Sequence, residues 1–352
     1  MLICENDDGL IIGHQCGFHL PQKIGKSVFA NFFNDIESIN TIKEIIHLLN
    51  NIIKDSFSLH NVIVYHYLPA DTLYKIIDQS DDISFSLRFT NVNYMNDKMD
   101  GKYGNNEFIV AFKHFFGDVK NKNNEMRMEL RNEIYTQLPK LLIDKPCTRN
   151  SNTYTLFMVD GVLCNAYVCS LSLDPESIPL WKNYGSGFSE SYAIGLNTKG
   201  LADVCICRIE YNNYDDERRS LPGVLLKKIF SIIEKEKSTK SEIHTLSKAI
   251  IEFMSAWSIS HKDYYWEYEK EVRLVKFMPV DTEPHGYSIR NGVFRPYINV
   301  PFDKKCVKDV VVGPMVERYN AARSIDEYMG KKGFGGGRNK LHVRCSVLPV
   351  RF

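Results

Sequence analysis

The segment over residues 264–273 constrains the fold more than any other part of the chain, because it joins aromatic residues to closely spaced carboxylates. Its sequence is Tyr-Tyr-Trp-Glu-Tyr-Glu-Lys-Glu-Val-Arg. Side chains of a strand alternate between two faces, so a strand here places Glu269, Glu271 and Arg273 on the same face. Two interpretations fit: a half-buried strand with one face in water, or a site where a carboxylate binds a sugar or a cation.

Strand and helix patterns along the rest of the chain predict an α+β fold. Residues 83–90 alternate apolar and polar side chains strictly, and shorter strand patterns cover 61–67, 165–173, 189–196, 204–211, 308–313 and 341–347. Helical periodicity covers 106–118, 124–143, 215–236, 241–259, 315–330 and 41–56, where Thr41 and Glu44 form a capping-box sequence. Residues 1–37 and 145–160 show neither pattern. We expect a mixed or mostly antiparallel sheet with helical insertions near 106–143 and 215–259.

Length and composition predict one main domain with its own core. The chain has 352 residues, of which 44% are hydrophobic, so residues 61–352 suffice for one large domain after an N-terminal arm and helix over 1–60. It contains no apolar run long enough to span a membrane and no secretory signal pattern, which predicts a cytoplasmic protein without membrane contact. The nine cysteines include no Cys-x-x-Cys pair, which favours reduced, buried thiols and no metal site.

The charge balance argues against a chain-wide electrostatic grip on nucleic acid. The formal net charge is +1, whereas proteins that bind nucleic acid usually show a basic excess on one face. Residues 331–352 nevertheless contain six basic residues and no acidic one. This segment is either a solvated loop with a final strand or a phosphate-binding patch, for which Arg338 and Lys340 are the candidate contacts.

Further motifs place polar side chains on two predicted strands that precede the carboxylate segment. His66 lies in Tyr-His-Tyr near the end of the first strand pattern, and Ser170 and Ser172 lie in Cys-Ser-Leu-Ser. A Trp-x-x-Tyr pattern formed by Trp181 and Tyr184 follows in a short helical segment.

In this order, the motifs resemble those of the ADP-ribosyltransferase superfamily. More closely, the chain resembles a bacterial family catalogued mainly as a domain of unknown function, through Tyr-His-Tyr, an Asn-Asp loop, Cys-x-Ser, Trp-x-x-Tyr, Trp-x-Tyr-Glu-x-Glu-x-Arg and a final Val-x-Gly strand. The resemblance covers roughly residues 62–350. The chain departs from the superfamily in its middle motif, because it lacks the arginine before a Ser-Thr-Ser strand and has Ser-Leu-Ser where a stacking tyrosine is expected.

The resemblance implies an ADP-ribosyltransferase-like fold, NAD as cofactor and a role for each polar motif. Glu271 would bind a hydroxyl of the nicotinamide ribose and stabilise the oxocarbenium-like sugar that forms when the glycosidic bond breaks. Glu269 would orient or deprotonate the acceptor. It is alternatively a solvent-facing acid paired with Arg88 or Arg273. His66 would hold a ribose hydroxyl, or is a buried structural histidine.

The remaining candidate cofactor contacts are aromatic or short polar residues near these motifs. For Trp181 core packing is the alternative to stacking on nicotinamide. For Asn96, next to Asp97 in the turn-rich loop, a purely local turn role is the alternative. The candidates are Tyr67, Tyr94, Asn96, Ser170, Ser172, Trp181 and Tyr184.

The function implied is transfer of ADP-ribose to an intracellular macromolecule, with RNA, DNA and protein all open as acceptors. Relatives of this general kind often act as toxins or phage-defence effectors, so an antitoxin or inhibitor protein is an expected partner. Two alternatives remain. An NAD glycohydrolase would use water as the acceptor, and a non-catalytic nucleotide-binding or interaction module would keep the sheet without turnover.

Overall fold

A computed structural model describes residues 32–57, 59–95, 102–117, 125–144, 153–185, 189–201, 203–212, 220–235, 238–335 and 341–349. The helices are α1 Phe32–Ser38, α2 Ile42–Ser56, α3 Ala70–Asp78, α4 Tyr103–Gly117, α5 Glu125–Leu141, α6 Ile178–Tyr184, α7 Leu221–Lys235, α8 Lys240–Ser260 and α9 Arg318–Lys331. The strands are β1 Ile63–Pro69, β2 Ser84–Asn91, β3 Leu142–Asp144, β4 Thr153–Thr155, β5 Phe157–Val159, β6 Val162–Ser172, β7 Ser191–Asn197, β8 Cys205–Arg208, β9 Glu210–Asn212, β10 His261–Asp263, β11 Glu271–Pro279, β12 Gly286–Arg290, β13 Val293–Asp303, β14 Val307–Val312 and β15 His342–Cys345.

Eleven of these strands form one sheet. Its longest path runs β12-β13-β2-β6-β1-β7-β14-β15, with β5 and β11 also paired to β6, and β8 paired to β11. Every pair in this sheet is antiparallel except β14 with β15. The fold is therefore mixed α and β with a mostly antiparallel sheet, which confirms the α+β prediction.

The sheet divides along one edge of β6. The other edge pairs with β11 continuously, from Cys164 opposite Pro279 to Ser172 opposite Glu271. The edge of β6 where the sheet divides pairs with β2 at Tyr167 and Val168. Farther along the same edge, it pairs with β1 only at Ser172, which lies opposite Tyr65. In the described chain no strand pairs with residues 169–171 on this edge. Strands β1 and β2 therefore separate here and leave a gap beside β6.

A helical core packs beside the sheet, and α8 connects the two. Helices α1, α2, α4, α5, α7 and α8 contribute to one apolar cluster, whereas the main sheet cluster lies under α3 and α9. Residues 253–260 at the end of α8 are buried on every side, as expected for a helix that crosses a core. Helix α8 continues directly into β10, so a rigid buried element positions the first residues of the candidate site.

Local signals predicted the helices well and the irregular segments less well. The capping box of α2 is confirmed: Glu44 N donates to Thr41 Oγ1 over 3.2 Å, and Thr41 N donates to Glu44 Oε2 over 3.1 Å. Two expectations are wrong. Residues 32–38 are helical rather than part of an irregular arm, and strands β4 and β5 lie within the predicted loop 145–160. The free cysteines of the described residues agree with reduced thiols.

A row of side chains crosses the sheet on one face, and it includes one glycine. Strand register places Ser172, Tyr65, Gly195 and Asp309 next to one another in this row. The Tyr65 hydroxyl donates to Asp309 Oδ2 over 3.1 Å, across Gly195. A Cβ atom on Gly195 would lie 2.8 Å from Asp309 Cβ and 3.0 Å from Tyr65 Cε1. Only glycine leaves room for this contact.

We predict that Gly195→Ala lowers the free energy of unfolding by about 1–3 kcal/mol, because overpacking a filled core displaces its neighbours. The matched control is Gly330→Ala on the exposed side of α9, where no atom lies within 4 Å of the added Cβ. That change should be neutral or stabilising by up to about 1 kcal/mol, because alanine has the higher helix propensity. Chemical denaturation measures both; equal effects would contradict the prediction.

Candidate functional site

The two glutamates are positioned by a 3-10 helix followed by a strand. The 3-10 helix covers Tyr264–Glu269, and Asp263 caps it by accepting a hydrogen bond from Tyr265 N over 3.0 Å. Lys270 then adopts a left-handed conformation with φ 43°, and β11 begins at the next residue. The prediction of one continuous strand is therefore wrong for residues 264–270. The Asp263 cap offers the backbone an alternative to strand pairing.

Lys262 joins the two carboxylates in a buried cluster of four charges. Its Nζ lies 2.6 Å from Glu269 Oε2 and 3.3 Å from Glu271 Oε2. Arg273 donates from Nε to Glu271 Oε1 over 3.0 Å. Glu269 is only 4% exposed and Glu271 3%. The interpretation of a strand face in water is therefore wrong, as is the pairing of a solvent-facing Glu269 with Arg88 or Arg273.

The ionised form of Glu271 is held from several directions. Arg273 also donates from Nη2 to Glu271 Oε2 over 3.2 Å and from Nη1 to the Ile259 carbonyl over 2.9 Å. Glu271 N donates to the Tyr211 hydroxyl over 2.8 Å. Burial alone would raise the pKa of the Glu271 carboxyl, but Arg273, Lys262 and the Ser170 hydroxyl lower it to about 2. This carboxylate is a fixed negative charge at neutral pH.

The pKa of the Glu269 carboxyl is shifted in the opposite direction, although Glu269 contacts the same Lys262 ammonium. Burial raises the pKa of its carboxyl, and the negative charge of Glu271 adds to that effect against the opposing influence of Lys262. The Tyr184 hydroxyl donates to Glu269 Oε1 over 3.0 Å. Two adjacent carboxyls whose pKa values move in opposite directions are suited to different roles, one as a permanent anion and one as a proton acceptor or donor.

The serines of β6 support this cluster from the neighbouring strand. Ser172 donates to the Glu269 carbonyl over 2.7 Å and accepts a hydrogen bond from Asp174 N over 3.0 Å. It thereby fixes the main chain at the end of the 3-10 helix. Ser170 lies opposite Arg273 in the strand register.

His66 lies at the gap beside β6. Its Nδ1 is 3.1 Å from the Ser170 carbonyl oxygen, and because a carbonyl only accepts, Nδ1 carries the proton. Burial lowers the pKa of the imidazole below its ordinary value, so the ring is neutral at pH 7 and Nε2 is an acceptor. No described residue forms a hydrogen bond with Nε2. The register pairs His66 with Ile194 and places its side chain on the face opposite to Tyr65, Ser172 and Glu271, so His66 meets the carboxylate side of β6 only through the Ser170 carbonyl at the gap.

Tyr67 and Trp181 lie in the packed core next to this site. The Tyr67 hydroxyl donates to the Asp174 carbonyl over 2.6 Å and accepts from Ser177 N over 3.1 Å. Trp181 is fully buried, with its ring centroid 4.6 Å from that of Tyr67 in an edge-to-face arrangement. These contacts hold the turn between β6 and α6, which carries Tyr184.

Of the other predicted contacts, Tyr94 is not brought to the carboxylates. Tyr94 lies in a 3-10 turn after Asn91, and Asn91 is opposite Tyr167, five residues along β6 from Ser172. At about 3.3 Å per residue, that turn starts roughly 16 Å from the cluster. Asn96, Arg338 and Lys340 lie outside the described residues.

Lys262 and Tyr211 are the site residues that sequence analysis missed. Lys262 follows the apolar end of α8, where a lone lysine after a buried helix was the available signal. Two buried carboxylates need a nearby cation, and this lysine lies seven residues before Glu269. Trp266, a residue of the quoted motif, presents its ring to the ammonium at 4.7 Å.

Comparison with known proteins gives no match to a family model, to a curated protein or to a solved structure. Among the described residues, no group of three or more His, Cys, Asp or Glu side chains is arranged to hold a metal ion. Within the same part of the chain, none of the helices has the length and apolar character needed to cross a membrane.

We predict that Lys262→Met lowers the free energy of unfolding by about 3–5 kcal/mol at pH 7, because it leaves buried carboxylates without their shared cation. In the wild type, Glu271 has a pKa of about 2, below the unfolded value of about 4.3. Ionised Glu271 thus stabilises the fold fully above the unfolded pKa of about 4.3, and this stabilisation is lost as the pH falls toward 2. Glu269 has a raised pKa, so its ionised form costs stability above about pH 4.3.

The decrease in the free energy of unfolding caused by Lys262→Met should therefore be smaller at pH 5 than at pH 7, because Glu269 takes up a proton more easily at pH 5. Denaturant unfolding of the variant and the wild type across pH 5–8 measures this decrease. Lys270→Met is the matched control, because Lys270 pairs with Asp174 at the surface and an exposed pair contributes at most about 1 kcal/mol. A pH-independent loss in Lys262→Met would contradict the assigned ionisation states.

Proposed function

We propose that the protein is an NAD-dependent ADP-ribosyltransferase. The observation that carries this proposal is the pair of buried carboxyls bridged by Lys262, one kept ionised and one with a raised pKa, one strand away from His66. Transfer of ADP-ribose requires a negative charge beside the developing oxocarbenium ion and a group that takes up the proton of the acceptor. The cluster supplies both within a few ångströms.

In this proposal, Glu271 stabilises the nicotinamide ribose as its glycosidic bond breaks. The bond between the ribose carbon and the nicotinamide nitrogen breaks, and its electron pair neutralises the positive ring of nicotinamide. The ribose carbon becomes positively charged, and the Glu271 carboxylate stabilises this charge electrostatically. Arg273 keeps the carboxylate ionised and oriented, so little reorganisation is needed as the charge develops.

In this proposal, Glu269 takes up the proton of the acceptor. The nucleophilic oxygen or nitrogen of the acceptor bonds to the ribose carbon and loses a proton, which Glu269 takes up. A raised pKa makes its carboxylate a better base than an ordinary surface glutamate. Tyr184 and Lys262 hold its two oxygens in place, so the residue has one fixed orientation toward the reacting group.

His66 is the residue for cofactor orientation. Through the gap beside β6, its Nε2 accepts a hydrogen bond from a ribose hydroxyl, while Nδ1 remains bound to the Ser170 carbonyl. The proposal extends to the biological role that the sequence motifs imply: a toxin or phage-defence effector that modifies RNA, DNA or protein inside the cell and is held in check by an antitoxin or inhibitor.

We predict that Glu271→Gln lowers nicotinamide release from labelled NAD by at least about a hundredfold, because glutamine keeps the shape and removes the charge. Glu269→Gln should lower label transfer to lysate macromolecules by about 10²–10⁴-fold while nicotinamide release persists, because this residue acts on the acceptor. Chromatography of nicotinamide and a label-transfer assay measure the two steps separately.

Asp309→Asn is the matched control for these variants. Asp309 is an equally buried carboxylate on the same face of the sheet, held by Tyr65, His342 and Arg344 instead of Lys262. If thermal unfolding shows that Asp309→Asn is folded, this variant should release nicotinamide at the wild-type rate. Equal turnover in wild type and Glu271→Gln would reject the proposal, and free ADP-ribose as the only wild-type product would establish the glycohydrolase alternative.

We predict that His66→Asn and His66→Gln have different effects. Asparagine retains a donor near the Nδ1 position and loses Nε2, so stability should persist while KM for NAD rises about tenfold, or about 1.4 kcal/mol. Glutamine can reach the Nε2 position but no longer donates to the Ser170 carbonyl, so stability should fall instead. Initial rates and denaturant unfolding measure the two effects. If both variants lose only stability, His66 is structural.

A further inference from the structure

A two-stranded ribbon extends from the end of the sheet. Strand β13 pairs with β2 only from Tyr297 onward, whereas β12 pairs with β13 from Tyr297 back to Val293. Residues 287–290 and 293–296 therefore pair only with each other. Asn291 and Gly292 form the tip with φ values of 52° and 75°, as a type I′ turn requires.

One face of the ribbon presents apolar side chains to solvent. Ile289 lies opposite Phe294 and Tyr287 opposite Pro296, which places these side chains on the same face. Tyr287, Ile289 and Phe294 are between 60% and 66% exposed. Two of the three are aromatic rings with an accessible flat surface.

The other face is basic and also aromatic. Arg295 and Tyr297 lie on it, and the guanidinium of Arg88 in β2 is 4.0 Å from the centre of the Tyr297 ring. The register pairs Arg290 with Val293, two residues from Arg295 on this same face, and burial together with the charge of Arg290 lowers the pKa of Arg295. Residues 286–297 contain no acidic residue. Neighbouring like charges of this kind favour an anionic ligand.

The basic face is also the face of the sheet that carries the carboxylate cluster. Thr90 lies opposite both Tyr297 and Val168, and Val168 lies two and four residues from Ser170 and Ser172 on β6. Side chains two residues apart on a strand share a face. A ligand that follows the basic face therefore approaches the side of the sheet where the acceptor must react.

We propose that the basic face of this ribbon binds a nucleic-acid strand, with Arg88, Arg290 and Arg295 contacting its phosphates. Guanidinium groups bind phosphate oxygens in a bidentate manner. The basic strip runs along β13 from Tyr297 to Val293, and Val293 is the partner of Arg290. These two ends are four residue steps apart, or about 13 Å, which is longer than one diphosphate. That length fits a polynucleotide better than a dinucleotide cofactor.

The inference assigns the acceptor class only if the proposed function holds, because a binding surface need not serve catalysis. The test is therefore direct binding of a fluorescein-labelled 20-nucleotide mixed-sequence RNA, and of the same sequence as DNA, to the full chain. Fluorescence anisotropy at salt concentrations between 50 and 200 mM gives the affinity and its slope against salt. RNA and DNA are compared because only RNA offers 2′-hydroxyls.

We predict that Arg290→Gln/Arg295→Gln weakens binding and reduces the slope of log affinity against log salt by about 1.4, or about 0.7 for each phosphate that is no longer neutralised. Arg290→Gln alone, at an exposed position, should reduce it by about 0.7. Tyr287→Ser/Phe294→Ser changes only the opposite, apolar face and should bind like the wild type with an unchanged slope, and a loss in this variant equal to that of the arginine variant would overturn the inference.

The matched control is Lys75→Gln/Arg323→Gln, which removes two exposed cations from α3 and α9. This control should bind like the wild type. Absence of wild-type binding at 50 mM salt, or an equal loss in the control, would overturn the inference. Nicotinamide release without acceptor should be unchanged in the ribbon variants. A chain that binds RNA through the ribbon but never cleaves NAD would therefore reject the proposed function and retain the binding surface.

Discussion

The contact of one ammonium group with two buried carboxylates is the interaction on which the site depends. A buried charge without a partner costs several kcal/mol, so Glu269 and Glu271 can be buried only with a cation at hydrogen-bond distance. Lys262 reaches both because α8 runs without a break into β10, and the following 3-10 helix brings the chain back over that lysine. The helical core therefore determines the geometry of a site on the sheet.

A second buried carboxylate on the same face shows that this arrangement is local. Asp309 has its own partners, with hydrogen bonds from Tyr65, His342 and Arg344 at 3.1–3.2 Å. Ser172 and Tyr65 lie between the two groups in the strand register. Both clusters satisfy their charges, but only the Lys262 cluster contains two carboxyls with pKa values moved apart, and only it adjoins the gap that His66 borders.

Short-range signals account for the parts of the structure that the sequence predicts. The capping box fixes the start of α2, and the two-residue spacing of Glu271 and Arg273 places both on one face of β11. Lys262 could not be assigned to the site, because its contacts depend on where α8 ends in space. The 3-10 helix was missed since the Asp263 cap outweighs strand propensity. The ribbon was missed although Asn291-Gly292 between alternating residues is a strong hairpin signal.

The pairing of β11 with β6 has a consequence for how the chain reaches its native state. A slip of β11 by one residue would exchange its two faces and place Glu271 and Arg273 in the apolar layer that Val272 and Leu274 now fill. Such a misaligned sheet would bury the Glu271–Arg273 pair among apolar side chains and remove Glu271 from the reach of Lys262. The charge cluster thus penalises the nearest incorrect alignment strongly, and it selects one strand register during folding as well as one geometry for chemistry.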